Sequence, residues 1–192
     1  MADGELPLWP RYRITSPAWT SVVLGALYIV LGAAGLRYAS PMILAVSAAL
    51  CVALLALSII DLRSYRLPDA ITLPLIAAGP LLAYLLGWGD PLWHIGSAIA
   101  GYLLLFAVAR AYALLRGRDG LGLGDAKLFA ASGAWLGLGA LPSVLLWASG
   151  LAIVTILFML LRGQAVSATS RIAFGPFLAL GFWIVWLFGP LA

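Results

Sequence analysis

One cysteine, one histidine and seven acidic residues are all that 192 residues carry of the side chains most used for disulfides, metal ligation and acid–base chemistry. Charged residues make up only 9% of the chain. Cys51 has no partner for an internal disulfide and no companions for a thiolate metal cluster. Inside an apolar run it reads as a small core residue. His94 stands alone in the stretch between two apolar runs, which leaves no ligands for a His-based triad or metal site elsewhere. The serines lack a nearby Lys or His to activate them as nucleophiles. No soluble-type repeat, low-complexity tract or clear inverted repeat of the transporter kind is present.

What fills the chain is apolar. Hydrophobic residues are 64% of it and the mean hydropathy is +1.08, which excludes an ordinary soluble domain. Runs long enough to cross a bilayer, about 17–25 residues each, recur almost from end to end. The sequence therefore predicts an all-α, polytopic membrane helical bundle as one domain, 18–192, behind a short polar leader, 1–17. That leader carries Asp3, Glu5, Arg11 and Arg13 with no small-residue cleavage site, so it is expected to stay attached on the cytoplasmic side. A pI near 9.6 raises nucleic acid as a partner. The basic residues are scattered one to three per loop, however, and membrane orientation explains them better.

Seven spans are predicted, at roughly 18–36, 41–60, 70–87, 92–115, 126–140, 142–161 and 174–191. The fifth is short and rich in Gly and Ala. Ala126, Ala130 and Ala134 recur at every fourth position, as do Gly133 and Gly137. Small residues at that spacing let backbones approach closely, so this helix is expected inside the bundle, shielded from lipid. Arg11 and Arg13 precede the first span, Arg63 and Arg66 follow the second, and Arg162 and Arg171 follow the sixth. Arg110, Arg116, Arg118 and Lys127 surround the loop after the fourth. The loops around 87–90 and 139–143 carry no Lys or Arg, and Arg37 is the one exception to the pattern. The positive-inside rule then predicts a cytoplasmic N-terminus, an external C-terminus, and Asp61 and Asp125 at the same cytoplasmic face. Trp9, Trp19, Trp88, Trp93, Trp186 and Phe188 fall near the proposed interfaces, where an aromatic belt accounts for them.

A carboxylate beside hydrocarbon is costly and is a functional-site candidate by default. Asp61 follows Ile59-Ile60 at the end of a helix, where the macrodipole disfavours negative charge. Its structural alternative is an ion pair with Arg63 or Arg66. Asp125 follows the alternating glycines Gly120, Gly122 and Gly124, and Asp69 follows Pro68. Both precede helical stretches, where Asp is a favoured N-cap, so capping is the alternative for each. The glycine loop lacks the Lys-Ser/Thr ending of a P-loop and follows no strand, so a phosphate cradle is rejected. Asp61 and Asp125 remain by position and by elimination, and paired carboxylates can divide acid and base work. Their helix ends assign Asp125 as the resting base and Asp61 as the acid.

With those residues in view, the chain resembles the type IV prepilin peptidases, a class of GxGD intramembrane aspartic proteases. Three ordered segments carry the resemblance. Asp61 is followed six residues on by Leu67, then Pro68-Asp69 and Thr72; Gly122-Leu123-Gly124-Asp125 is followed by Lys127; and Phe174-Gly175-Pro176-Phe177 resembles the family's Pro-Phe-Gly-Pro segment with Ala173 in place of its first proline.

The resemblance implies an aspartic endopeptidase that cuts the basic leader from prepilins or pseudopilins at the cytoplasmic face, in the bacterial inner membrane. Asp61 and Asp125 would be catalytic. Gly122, Gly124, Lys127, Pro68, Asp69, Gly175 and Pro176 would position substrate or shape the site. It implies no metal or other cofactor, and as partners the substrate and the lipid bilayer, with no nucleic acid. Longer members carry two Cys-x-x-Cys pairs in an amino-terminal region and N-methylate the cleaved pilin. This sequence has neither those cysteines nor room for that region, so peptidase activity alone is expected. The competing expectations are an inactive pilin-binding assembly factor and a proton-coupled transporter, the latter needing carboxylates near the bilayer midplane.

Overall fold

The structure, a computed structural model, describes residues 18–37, 39–116, 122–163 and 173–191. The proposed leader with Trp9, Arg11 and Arg13, and also Arg118, Gly120 and Arg171, lie outside the described residues. Among the described residues seven α-helices follow one another: α1 (Ala18–Gly35), α2 (Pro41–Ser64), α3 (Asp69–Leu86), α4 (Pro91–Arg116), α5 (Leu123–Leu136), α6 (Leu141–Leu161) and α7 (Gly175–Phe188). A single 3₁₀ turn, Leu138–Ala140, joins α5 to α6. The helices fall where apolar runs predicted spans. Among the described residues four stretches are long and apolar enough to cross a membrane: α2, α3, most of α4, and Leu138–Leu161. Two shorter apolar helices, Thr20–Gly35 and Gly175–Phe188, accompany them.

The bundle is dressed for lipid. Val22, Ile29, Val52, Leu115 and Leu161 stand exposed on its outside, as do Leu146, Ile153 and Val154 of α6. A soluble monomer does not expose apolar surface on this scale. Polar groups inside are correspondingly paired, because no water reaches them there. The Trp183 indole donates to the Tyr28 carbonyl at 3.2 Å, Trp135 to the Leu75 carbonyl at 2.7 Å, and Trp186 to Ser47 Oγ at 2.9 Å. Trp186 thus does more than decorate an interface. It packs on Trp135 and Trp88, with ring centroids 5.5 and 5.8 Å away.

The two shortest helices, α5 and α7, form the centre. Ala126, Leu128, Phe129, Ala131 and Ala134 of α5 are almost wholly buried, and so are Leu178, Ala179, Phe182 and Trp183 of α7. The small residues of α5 do what their spacing predicts. A Cβ on Gly133 would collide with the Ser97 carbonyl of α4, and a Cβ on Gly79 of α3 would collide with the Ala134 carbonyl of α5. Gly181 brings α7 equally near α6, with a Cβ there lying 2.6 Å from the Val144 oxygen. Gly137 then stops α5 earlier than the expected span end, its φ of +81° being open to glycine and strained for other residues.

His94 is also better placed than a loop reading suggested. It lies in the first turn of α4, buried, with Nδ1 2.8 Å from the Ala134 carbonyl. It therefore ties α4 to α5 at the end of the bundle remote from Asp125.

Gly79→Ala and Gly133→Ala are expected to destabilise the bundle by about 1–3 kcal/mol each, since backbone cannot yield as a side chain does. Gly150→Ala, where a Cβ meets nothing within 4 Å, should leave the unfolding temperature in detergent unchanged or slightly raised. Equal melting temperatures for all three variants would contradict the packing.

Candidate active site

The Asp61 segment is built by the end of α2. Asp61 lies in the last turn, and the helix continues to Ser64 before Tyr65 closes it. Tyr65 adopts a left-handed conformation, φ 54° and ψ 36°, and its N–H donates to the Asp61 carbonyl at 2.8 Å. Such a conformation costs a non-glycine residue about 1–3 kcal/mol and tends to occur at functional sites. The chain then turns through Arg66, Leu67 and Pro68 into α3, where Thr72 donates through both its N–H and its hydroxyl to the Pro68 carbonyl.

The Asp125 segment is the start of α5. Its N-cap is Gly122, and Asp125 is the third helical residue. Neither Asp69 nor Asp125 is the N-cap residue of its helix. In α3 the cap position is occupied by Pro68, in α5 by Gly122, and neither helix has a side-chain cap hydrogen bond. Asp125, three positions past the cap, turns its carboxylate back to the backbone N–H of Gly122, whereas Asp69, one position past it, takes a partner from another helix. The Asp69 side chain meets Lys127 Nζ at 2.6 Å, on the exposed rim. A pair this exposed contributes little stability, about 0–1 kcal/mol, but it links the start of α3 to the start of α5.

The third segment completes the arrangement. Gly175 opens α7, and its N–H donates to Asp61 Oδ2 at 3.1 Å. The first N–H groups of a helix have no partner of their own, and this one is satisfied by a carboxylate from another helix. Asp61 thus sits at a helix N-terminus after all, that of α7, where negative charge is favoured. The alternative of an Asp61–arginine ion pair is not realised, with Gly175 the carboxylate's partner. Pro176, buried and at the second position of α7, has no N–H to leave unsatisfied. The helix-end argument for fixed acid and base roles fails with this geometry. Both carboxylates are served by helix N-termini, and the proton is best regarded as belonging to the pair.

Asp61 and Asp125 line a single cavity of about 630 Å³. Only 6% and 8% of their surfaces are exposed, so the two carboxyl groups are enclosed yet open to this cavity. Pro68, Asp69, Gly122, Gly124 and Lys127 line it as well. Every site residue singled out from the sequence is therefore in one neighbourhood, with Gly175 and Pro176 behind Asp61. Two close approaches explain the glycines: a Cβ on Gly175 would lie 2.6 Å from Asp61 Oδ2, and a Cβ on Gly124 would lie 2.9 Å from Leu67 Cβ. Among the described residues no three His, Cys, Asp or Glu side chains gather as a metal site would require. Tyr65 and Ser64 also line the cavity. Neither was singled out from the sequence, since no local signal marks a tyrosine that will turn left-handed.

Residues 48–160 match the type IV leader peptidase family. The chain belongs to that family. It is 49% identical over 138 residues to a prepilin leader peptidase/N-methyltransferase of Aeromonas salmonicida, covering 71% of this chain and 46% of the relative. A Burkholderia pseudomallei protein of the same name is 39% identical over 175 residues, covering 91% and 54%. A third, from Dickeya chrysanthemi, is 44% identical over 149 residues, covering 77% and 52%. The chain spans about half the length of these curated relatives. No solved structure gives a significant match. The family match includes Asp61 and Asp125 and ends before Gly175, so the hydrogen bond that seats Asp61 comes from outside the matched segment.

Gly175→Ala is expected to lower any peptide hydrolysis that depends on Asp61 about 100-fold by displacing its carboxyl group, with the helical circular dichroism retained. Gly124→Ala should also lower it. Gly122→Ala should cost less than about tenfold, because its Cβ would meet Asp125 Oδ2 at an ordinary 3.5 Å and its φ is −76°. A Gly122→Ala loss as large as that of Gly175→Ala would refute this ranking.

Proposed function

We propose that this chain is a membrane-embedded aspartic endopeptidase. It removes the basic leader from prepilins or pseudopilins at the cytoplasmic face of the bacterial inner membrane, using Asp61 and Asp125. The observation that carries the reading is that the two aspartates, 64 positions apart by number, are both buried residues lining one open cavity. The printed names of the relatives supply the substrate class. Those names join a peptidase to an N-methyltransferase, and the chemistry of this cavity serves the first. Arg63, Arg66 and Lys127 cluster at the same end of the bundle, which supports a cytoplasmic position for it.

Peptide hydrolysis needs a base for water and an acid for the carbonyl oxygen. Two carboxyl groups in close contact share one proton, because both do not ionise easily together, and so hold one group in each form. The ionised member takes a proton from water as the oxygen attacks the scissile carbonyl carbon. The protonated member gives its proton to the carbonyl oxygen. Collapse of the tetrahedral diol breaks the C–N bond as a proton passes to the leaving nitrogen, and the dyad recovers its single shared proton. One water is consumed. The N–H of Gly175 holds the Asp61 carboxyl in place through this cycle.

Co-expression with genomically linked prepilins should give a mobility shift that disappears in Asp61→Asn and in Asp125→Asn. Full cleavage by either variant would eliminate the dyad. No shift with the native chain and any such pilin would favour an assembly factor that binds pilin helices without cutting them.

A further inference from the structure

Tyr65 is the one non-glycine residue with positive φ among those described, and it lines the cavity that holds both aspartates. Its backbone task, closing α2 by donating to the Asp61 carbonyl, could be performed by glycine, the residue that most often occupies the left-handed position after a helix. The backbone therefore does not account for a tyrosine here. Nor does packing. Tyr65 is half-buried and stands outside the hydrophobic core cluster, and among the described residues its hydroxyl makes no hydrogen bond. A costly conformation here carries a side chain that, among the described residues, is outside the core cluster and makes no hydroxyl hydrogen bond. What remains for the ring is the cavity.

The walls beside it suggest what the ring meets. Ile60, Leu67, Pro68 and Leu123 make them apolar, while the carboxyl groups supply the reacting end. We propose that Tyr65 is a substrate-contacting, specificity-determining residue whose ring packs against an apolar side chain next to the scissile carbonyl of a bound peptide. The left-handed turn sets Tyr65 in the wall of the cavity. The same turn fixes the end of α2, so the side chain that reads the substrate and the Asp61 carboxyl group of the dyad are held in one register.

This rests on the peptidase reading, and steady-state cleavage of a prepilin by the full chain separates the two. Tyr65→Gly and Tyr65→Asn both tolerate the left-handed conformation and remove the ring. Each should raise KM about tenfold with kcat nearly unchanged, the signature of lost binding shared by ground and transition states. Tyr65→Phe should stay within about twofold of the native KM, since the ring is kept. Trimming the apolar residue beside the scissile bond to alanine should weaken binding to the native enzyme and have little further effect on Tyr65→Gly. A native KM in Tyr65→Gly would overturn the inference, and so would equal sensitivity of both enzymes to the trimmed substrate. In either case the peptidase reading survives if cleavage still requires Asp61 and Asp125. Absence of Asp-dependent cleavage by the native chain would overturn both.

Discussion

The contact on which the aspartate end depends is the backbone-to-backbone packing of α5 against α3 and α4. At 14 residues, and about 1.5 Å per residue, this helix is roughly 21 Å long, shorter than the hydrocarbon core of about 30 Å. It is sustained by its neighbours. Gly79 and Gly133 remove the side chains that would hold the axes apart, and the Ala134 carbonyl and the Trp135 indole are then close enough to bond His94 and Leu75. Because α5 is rigidly enclosed, its first turn has a defined position, and Asp125 inherits it.

Asp61 is positioned by the opposite device, a borrowed helix end. Its own helix presents it at the wrong pole, but the N–H of Gly175 brings the right pole of α7 to its carboxyl group. Both carboxylates are thus stabilised by the partial positive charge of a helix start, which lowers the cost of holding them beside hydrocarbon. The three motif segments lock together through small, direct contacts: Leu67 on Gly124, Asp69 on Lys127, and Gly175 on Asp61. None is strong alone. Together they set where the cavity lies and which groups face it.

Much of this was legible in the chain. The apolar runs marked the helices to within a few residues, and the Ala/Gly spacing of 126–137 marked the enclosed one, because both signals repeat within a turn or two. The aspartates stood out because a carboxylate at the end of an apolar run has few inexpensive explanations. The local alternatives misled. Capping by Asp69 looked natural from adjacency, yet Pro68 holds that position, and a shift of one residue gave the Asp69 side chain to Lys127 of another helix. Pairing of Asp61 with its neighbouring arginines was the weaker alternative to chemistry, and its carboxylate bonds the Gly175 N–H instead.

By itself, the sequence determined the membrane bundle, the approximate helices, and the identity of the residues able to do chemistry. These follow from hydropathy, periodicity and side-chain type, which are properties of short stretches. Only the tertiary structure decided that Asp61 is seated by Gly175, 114 positions away, that Lys127 reaches Asp69, 58 positions away, and that Tyr65 turns left-handed beside the cavity. Each of these depends on how helices distant in the chain settle against one another. No pattern within a single helix encodes that, because the energy deciding it comes from contacts that exist only once the bundle has closed.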